Sequence, residues 1–308
     1  MDFSEYGIPS KEWSVFVADN PSAARDGYAN NDIAEADKLR SVSNESRRSN
    51  SRNMILQTGL DKSVEITTVL AKSRGLHMVP IRRYEPRRTK KTQREVLVYI
   101  HGGGYLLGDE ESDDFVCASI AETIDVIVLS IIYRHTHRYR HPSQVDDVWD
   151  AFKYIQSNHG SLGIPLSSRI TLMGISAGAG LAASVALREL EEVAEASAHT
   201  YHKTPTVTGL LLAMPWLLHI DNYPFHLFKS PHLSSKEQCV DAPVVPRRRM
   251  RLFTDLLAAD SPDDALLNIA LTPDNMLTLW PKTAIIVAGM DPLRDDGLIF
   301  AKRLQQAG

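Results

Sequence analysis

Ser176 stands between two glycines in Gly174-Ile-Ser-Ala-Gly178, and upstream His101 is followed by Gly102, Gly103 and Gly104. The first pattern is that of a nucleophile elbow, a sharp strand-to-helix turn that lifts a serine hydroxyl clear of the backbone. The second can bring bare N–H groups close to a ligand, because no side chain blocks the approach. Such donors stabilise the negative charge that develops on a carbonyl oxygen under attack. Ser176 as nucleophile, with the N–H groups of Gly102, Gly103 and Ala177 as an oxyanion hole, would carry out acyl transfer from an ester through an acyl-enzyme. That chemistry calls for no cofactor and no metal.

The elements needed to position these groups are legible. Arg169-Ile-Thr-Leu-Met173 reads as a short buried strand running into the serine turn, and Leu181 to Leu190 as a helix of small and apolar residues. Glu95 to Ile100 is an apolar, β-branched run of strand length that stops at His101. The competing reading is a glycine-rich turn without chemistry, as in nucleotide-binding loops. Neither G-x-G-x-x-G nor a Walker lysine is present to support it. His101 precedes the serine and is expected to hold the loop rather than act as base.

With these motifs, the chain resembles the hormone-sensitive-lipase branch of the α/β-hydrolases, which includes arylacetamide-deacetylase-like esterases and plant carboxylesterases. The resemblance runs from about Val64 to the last residue. Tyr133-Arg134, Pro142 and Asp146-Asp147 fall at the family's spacing, and Asp291-Pro-Leu-Arg-Asp-Asp-Gly297 is similar to its D-P-L-R-D-E-G segment. The resemblance implies that Asp291 is the acid of a Ser–His–Asp triad. It also implies an α/β-hydrolase fold, a mostly parallel sheet flanked by helices. The chain departs from the family pattern in three places. Ile175 stands where an acidic residue is usual, and His135-Thr-His-Arg138 replaces L-A-P-E. None of the eleven histidines follows Asp291, where the family places its base. The final strand is accordingly expected to be missing.

Composition fits one such domain. The 308 residues are 43% apolar and 23% charged, with a net charge of −4, which speaks against nucleic-acid binding. Cys117 and Cys239 lie far apart and give no disulfide framework. The start of the chain lacks a basic, apolar leader, and the longest apolar stretch, around Val207 to Ile220, is too short to cross a membrane. A cytoplasmic setting is the expectation. Residues 1–60 are read as an N-terminal helical cap, with helices over Lys11–Ala18 and Asp32–Leu39 and a mobile Ser/Arg/Asn-rich link over Ser41–Asn53. Residues 61–308 are read as the hydrolase domain. Strands are expected at 64–70, 77–84, 95–100, 125–132, 169–173, 207–213 and 283–288, the first two antiparallel. Helices are expected at about 111–124, 143–158, 176–195 and 293–306. The long aromatic- and proline-bearing connection of about 215–281 reads as cap and acyl-pocket material.

Other features rank lower. The basic run Arg82 to Arg94 is expected to be a solvated hairpin loop, and Arg247-Arg-Arg-Met-Arg251 a cap helix surface. His135, His137 and His141 lack a completing carboxylate or cysteine cluster for a metal. Asp146 and Asp147 suit the start of a helix, where the dipole favours negative charge. The function expected is serine carboxylic-ester hydrolysis of a small or medium ester, with an open sheet edge that favours a homodimer. Two alternatives remain. One is a ligand-binding protein on an impaired hydrolase scaffold, for which the plant gibberellin receptor is the family precedent. The other is an acyl transferase or lyase acting on a natural product.

Overall fold

The computed structural model describes residues 1–21, 33–75, 77–89, 94–165, 168–198 and 204–308. The chain opens with α1 (Lys11–Asp19), α2 (Ile33–Thr58) and α3 (Leu60–Ser63), and then enters β1 (Val64–Lys72) and β2 (Met78–Pro86). From there strands alternate with helices: β3 (Val96–Ile100), α4 (Asp114–Ile124), β4 (Ile127–Ile131), α5 (Ser143–Ser157), β5 (Ile170–Ile175), α6 (Ala177–Ala198) and β6 (Val207–Ala213). A long excursion carries α7 (Ser235–Gln238), α8 (Arg247–Leu257) and α9 (Asp274–Leu277). The chain then returns as β7 (Lys282–Ile286) and α10 (Arg294–Ala307). The strands form one seven-stranded sheet in the order β1-β2-β4-β3-β5-β6-β7. β2 is antiparallel to both of its neighbours, and the other pairings are parallel. This is the α/β-hydrolase architecture expected, with β7 at one edge and Ile286 53% exposed on it.

Strand periodicity explains why β3 reads as an unbroken apolar run. Val96, Val98 and Ile100 of β3 pack into the larger core beside Val148 and Phe152 of α5 and Ala182 and Ala186 of α6. Leu97 and Tyr99 point to the opposite face, against Cys117, Ala118 and Ala121 of α4. Side chains alternate between faces, and helices cover both, so neither face needs polar residues.

Two expectations are corrected. Ser41–Asn53 is not a mobile link but the middle of α2. Its few apolar anchors, Ala36, Leu39 and Ile55, lie toward the two ends. The polar middle is held by hydrogen bonds and ion pairs to the segment before and at the start of α4: Asn44 to Gly108, Arg48 to Asp109 and Ser51 to the Phe115 amide. The basic run is a solvated loop only in part: Arg87, Arg88 and Thr89 are exposed beyond β2, but its two flanks are not. Arg82, Arg83 and Arg94 are largely buried, in ion pairs with Asp114 and Glu85. Residues 90–93 of that run, and Asp32 of the second helix expectation, lie outside the described residues.

Candidate active site

Ser176 closes β5 and precedes α6, with its φ at +56°. A serine held in the left-handed region costs on the order of 1–3 kcal/mol and persists only where its surroundings fix it. Its own N–H donates to the Ala213 carbonyl at 2.9 Å, and its carbonyl accepts from the N–H groups of Ala179, Gly180 and Trp216. Both flanking glycines are required by close approach. A Cβ at Gly174 would lie 2.2 Å from the Gly178 carbonyl oxygen, and one at Gly178 would lie 2.2 Å from that of Ile100. The elbow is thereby pressed against the end of β3, the strand that delivers the glycine loop.

The loop meets the elbow directly. A Cβ on Gly102 would fall 2.7 Å from the carbonyl oxygen of Ile175, the residue before the serine. Gly103 and Gly104 have φ of +131° and +60°, and side chains there would strike Leu107 and the Phe253 ring of α8. Among the described residues, the amides of Gly102, Gly103 and Ala177 donate to no protein acceptor. Three unspent donors beside a half-buried serine are what an oxyanion hole provides.

Ser176, Gly102 and Gly103 line a cavity of about 340 Å³ together with Asp291, Met214 and Phe253. Asp291 lies in the turn between β7 and α10, and its Oδ1 accepts from the Leu293 N–H at 2.8 Å. Burial pushes its carboxyl above the ordinary value, against the pull of that hydrogen bond and of Lys236. Asp291 therefore both tethers the start of α10 and faces the cavity. Beyond it, sharing Asp291 and Met214, is a second, more apolar cavity of about 560 Å³, bordered by Ile8, Pro9 and Trp13.

Among the described residues, no histidine lines the serine cavity. His101 is buried, stacked on Tyr133 at 4.4 Å and on His135 at 5.2 Å. Its Nδ1 lies 3.0 Å from the Gly102 carbonyl oxygen, and burial pushes its pKa down to about 4. It supports the glycine loop from behind, as expected. The three histidines weighed for a metal go separate ways: His135 to Arg40, His137 toward Asp37 and His141 to Asp264. Asp147 takes Arg134 in a bidentate pair, and Asp146 meets Arg74 and Arg188, so both anchor neighbouring elements. His199 and His202 lie outside the described residues.

Sequence reasoning missed Arg47, Tyr99 and Asp113, which also line the cavity. The available signal was the recurrence of Arg40, Asn44, Arg47 and Ser51 every three or four residues, a polar face at helical period.

Residues 97–308 match the family model described as alpha/beta hydrolase fold. The chain is 31% identical to Esterase LipI of Mycobacterium tuberculosis over 71% of its own length and 62% of that esterase. It is 32% identical to Carboxylesterase NlhH of the same organism, over 76% of its length and 67% of the relative. Among solved structures, Bacterial Heroin Esterase superposes with a TM-score of 0.69 at 26% identity, covering 94% of this chain and 85% of that one. Against the first of these relatives the chain thus spans less than two thirds of the partner's length. With the family model covering more than half of the chain and the 32% identity to NlhH, the chain belongs to the α/β-hydrolase family, in its hormone-sensitive-lipase-like carboxylesterase branch.

Proposed function

We propose that this chain carries the nucleophile, oxyanion hole and acid of a serine carboxylic-ester hydrolase. One observation carries the proposal: Ser176, in its left-handed turn, shares a cavity with the glycine loop and Asp291. Ser176 Oγ attacks the ester carbonyl carbon, and the carbonyl oxygen becomes an oxyanion held by the Gly102, Gly103 and Ala177 amides. Collapse breaks the bond to the alcohol and leaves the acyl group on Ser176, and water then releases the acid. The serine proton needs an acceptor that Asp291 can orient. We assign that role to a histidine carried outside residues 1–308, in keeping with the greater length of the relatives. A cavity of about 340 Å³ suits a small or medium ester. Residues 1–60 and the 215–281 connection are proposed as its cap, the remainder as the catalytic domain. No helix among the described residues is long and apolar enough to cross a membrane. We keep a cytoplasmic setting, no nucleic-acid partner, and a homodimer across the β7 edge as parts of the same proposal.

The test compares p-nitrophenyl acetate and butyrate turnover by the 308-residue chain, its Ser176→Ala variant and a chain extended by a family segment bearing the histidine. Loss of the base in a related triad costs roughly a millionfold in kcat. Slow turnover by the 308-residue chain and Ser176-dependent rescue on extension are expected. Fast Ser176-dependent turnover without extension would move the base to a group already present. No turnover after extension would favour a ligand-binding scaffold.

A further inference from the structure

The polar middle of α2 grips the oxyanion loop along its length, and one of its contacts falls on the peptide that matters most for the hydrolase reading. Arg47 Nη1 lies 3.4 Å from the Gly102 carbonyl oxygen. Its Nη2 is fixed by Asp113 Oδ1 at 2.7 Å, and Tyr99 donates its hydroxyl to Asp113 Oδ2, also at 2.7 Å. Burial opposes the charge on Asp113, but Arg47 and its other partners hold the carboxyl below the ordinary value. The guanidinium is therefore aimed by an ionised, doubly bonded carboxylate. On its other side, the Gly102 carbonyl meets His101 Nδ1. A carbonyl only accepts, so that nitrogen carries the proton of a neutral imidazole.

In a trans peptide the C=O and N–H point in opposite directions. Whatever holds the Gly102 oxygen sets the direction of the Gly103 N–H. Gly103, at φ +131°, has no side chain to restrict rotation of that peptide plane. We propose that Arg47 is a positioning residue: by holding the Gly102 carbonyl through the Asp113–Tyr99 anchor, it fixes the Gly102–Gly103 peptide plane and aims the Gly103 N–H at the oxyanion. This rests on the hydrolase reading for its catalytic consequence, while the grip itself does not depend on turnover.

The sequence offers a selective probe of this peptide. Gly102-Gly-Gly104 contains the chain's only adjacent glycines. A sample labelled with carbonyl-13C and 15N glycine therefore gives just two carbonyl-to-amide NMR correlations. One joins the Gly102 carbonyl to the Gly103 N–H, the other joins Gly103 to Gly104. In the folded 308-residue chain, Arg47→Met should shift the first correlation and speed Gly103 amide exchange about tenfold. Asp113→Asn, which keeps Arg47 but weakens its anchor, should shift it less. Arg47→Lys should restore part of the change. Arg52→Met, on the same helix in an exposed pair with Glu111, should leave it in place. An unmoved Gly102–Gly103 correlation in Arg47→Met overturns the proposal.

The second arm uses the chain form that shows Ser176-dependent turnover. Removing an oxyanion-hole donor outright costs 10²–10³ in kcat. Loosening one should cost about tenfold, with KM within about twofold. The loss should be equal for p-nitrophenyl butyrate and for a p-nitrophenyl monoester of glutaric acid. A loss confined to KM for the carboxylate-bearing ester would make Arg47 a substrate-anion ligand and overturn the positioning role. Wild-type turnover that survives Ser176→Ala would defeat the hydrolase reading, and the NMR arm would still decide whether Arg47 holds the peptide.

Discussion

Lys236→Met should expose how the connection of residues 215–281 is fastened to the segments around it. Lys236 of α7 is 4% exposed, and its Nζ lies 2.9 Å from Oδ1 of the fully buried Asp296 of α10. The other oxygen, Oδ2, accepts from the Leu217 and Leu218 amides at 3.2 and 3.1 Å, just after β6. One carboxylate thus joins three segments that surround the Asp291 turn. Burial raises Asp296 from its usual 3.8 to about 6 even with Lys236 present. Between those values the native state holds a proton that the unfolded state has released, so stability falls as pH rises through the window. The wild-type penalty is about 3 kcal/mol once the group is ionised. Removing the cation leaves a lone buried charge, and breaking such a pair from one side costs about 3–5 kcal/mol. At pH 8 that full cost is expected. At pH 5 the carboxyl takes up a proton, and the cost should drop to about 1 kcal/mol, the net worth of an ordinary hydrogen bond. Lys236→Met/Asp296→Asn should recover most of the loss at pH 8, because the asparagine oxygen can still accept from Leu217 and Leu218. Urea unfolding at both pH values, followed by tryptophan fluorescence, measures this. A cost under about 1 kcal/mol at pH 8, or an equal cost at both pH values, would refute the reasoning.

Three further outcomes are expected. Gly104→Ala should lower stability by about 1–3 kcal/mol and slow fluorophosphonate labelling of Ser176, since the site has φ +60° and a Cβ there lies 2.1 Å from the Phe253 ring; thermal melts and labelling rates check it. Asn44→Ala should cost about 1–3 kcal/mol in urea unfolding, because it leaves the Gly108 N–H and C=O, now bonded at 2.8 and 3.0 Å, without partners in a buried place. Acid should destabilise the fold through His101. The unfolded imidazole protonates near 6.5 but the buried one only near 4, so up to about 3 kcal/mol is lost as pH falls through that window. His101→Asn should flatten the slope of melting temperature against pH, and an unchanged slope would reassign it.

The strands were legible to within about two residues because β3 and β4 are buried on both faces and read as nearly continuous apolar runs, and the others are short apolar-rich segments bounded by turns. Ser176 and the glycine loop were legible for a different reason. Their glycines answer to steric limits that hold for any sequence: Gly174 against Gly178, Gly102 against Ile175. The start of α2 was legible but its middle was not, because an apolar stripe is the usual mark of a helix and this stretch binds through a polar one. Its partner surface is the loop of residues 102–115, which offers backbone carbonyls, amides and carboxylates rather than side-chain hydrocarbon. Gly102, Gly103 and Gly104 offer no side chains, and the hydrocarbon of Tyr105 and Leu106 is turned into the core. Whatever immobilises the loop must therefore do so by hydrogen bonds and charge. The same glycines that announced the site in the sequence thus account for why the helix that steadies it looked like a linker.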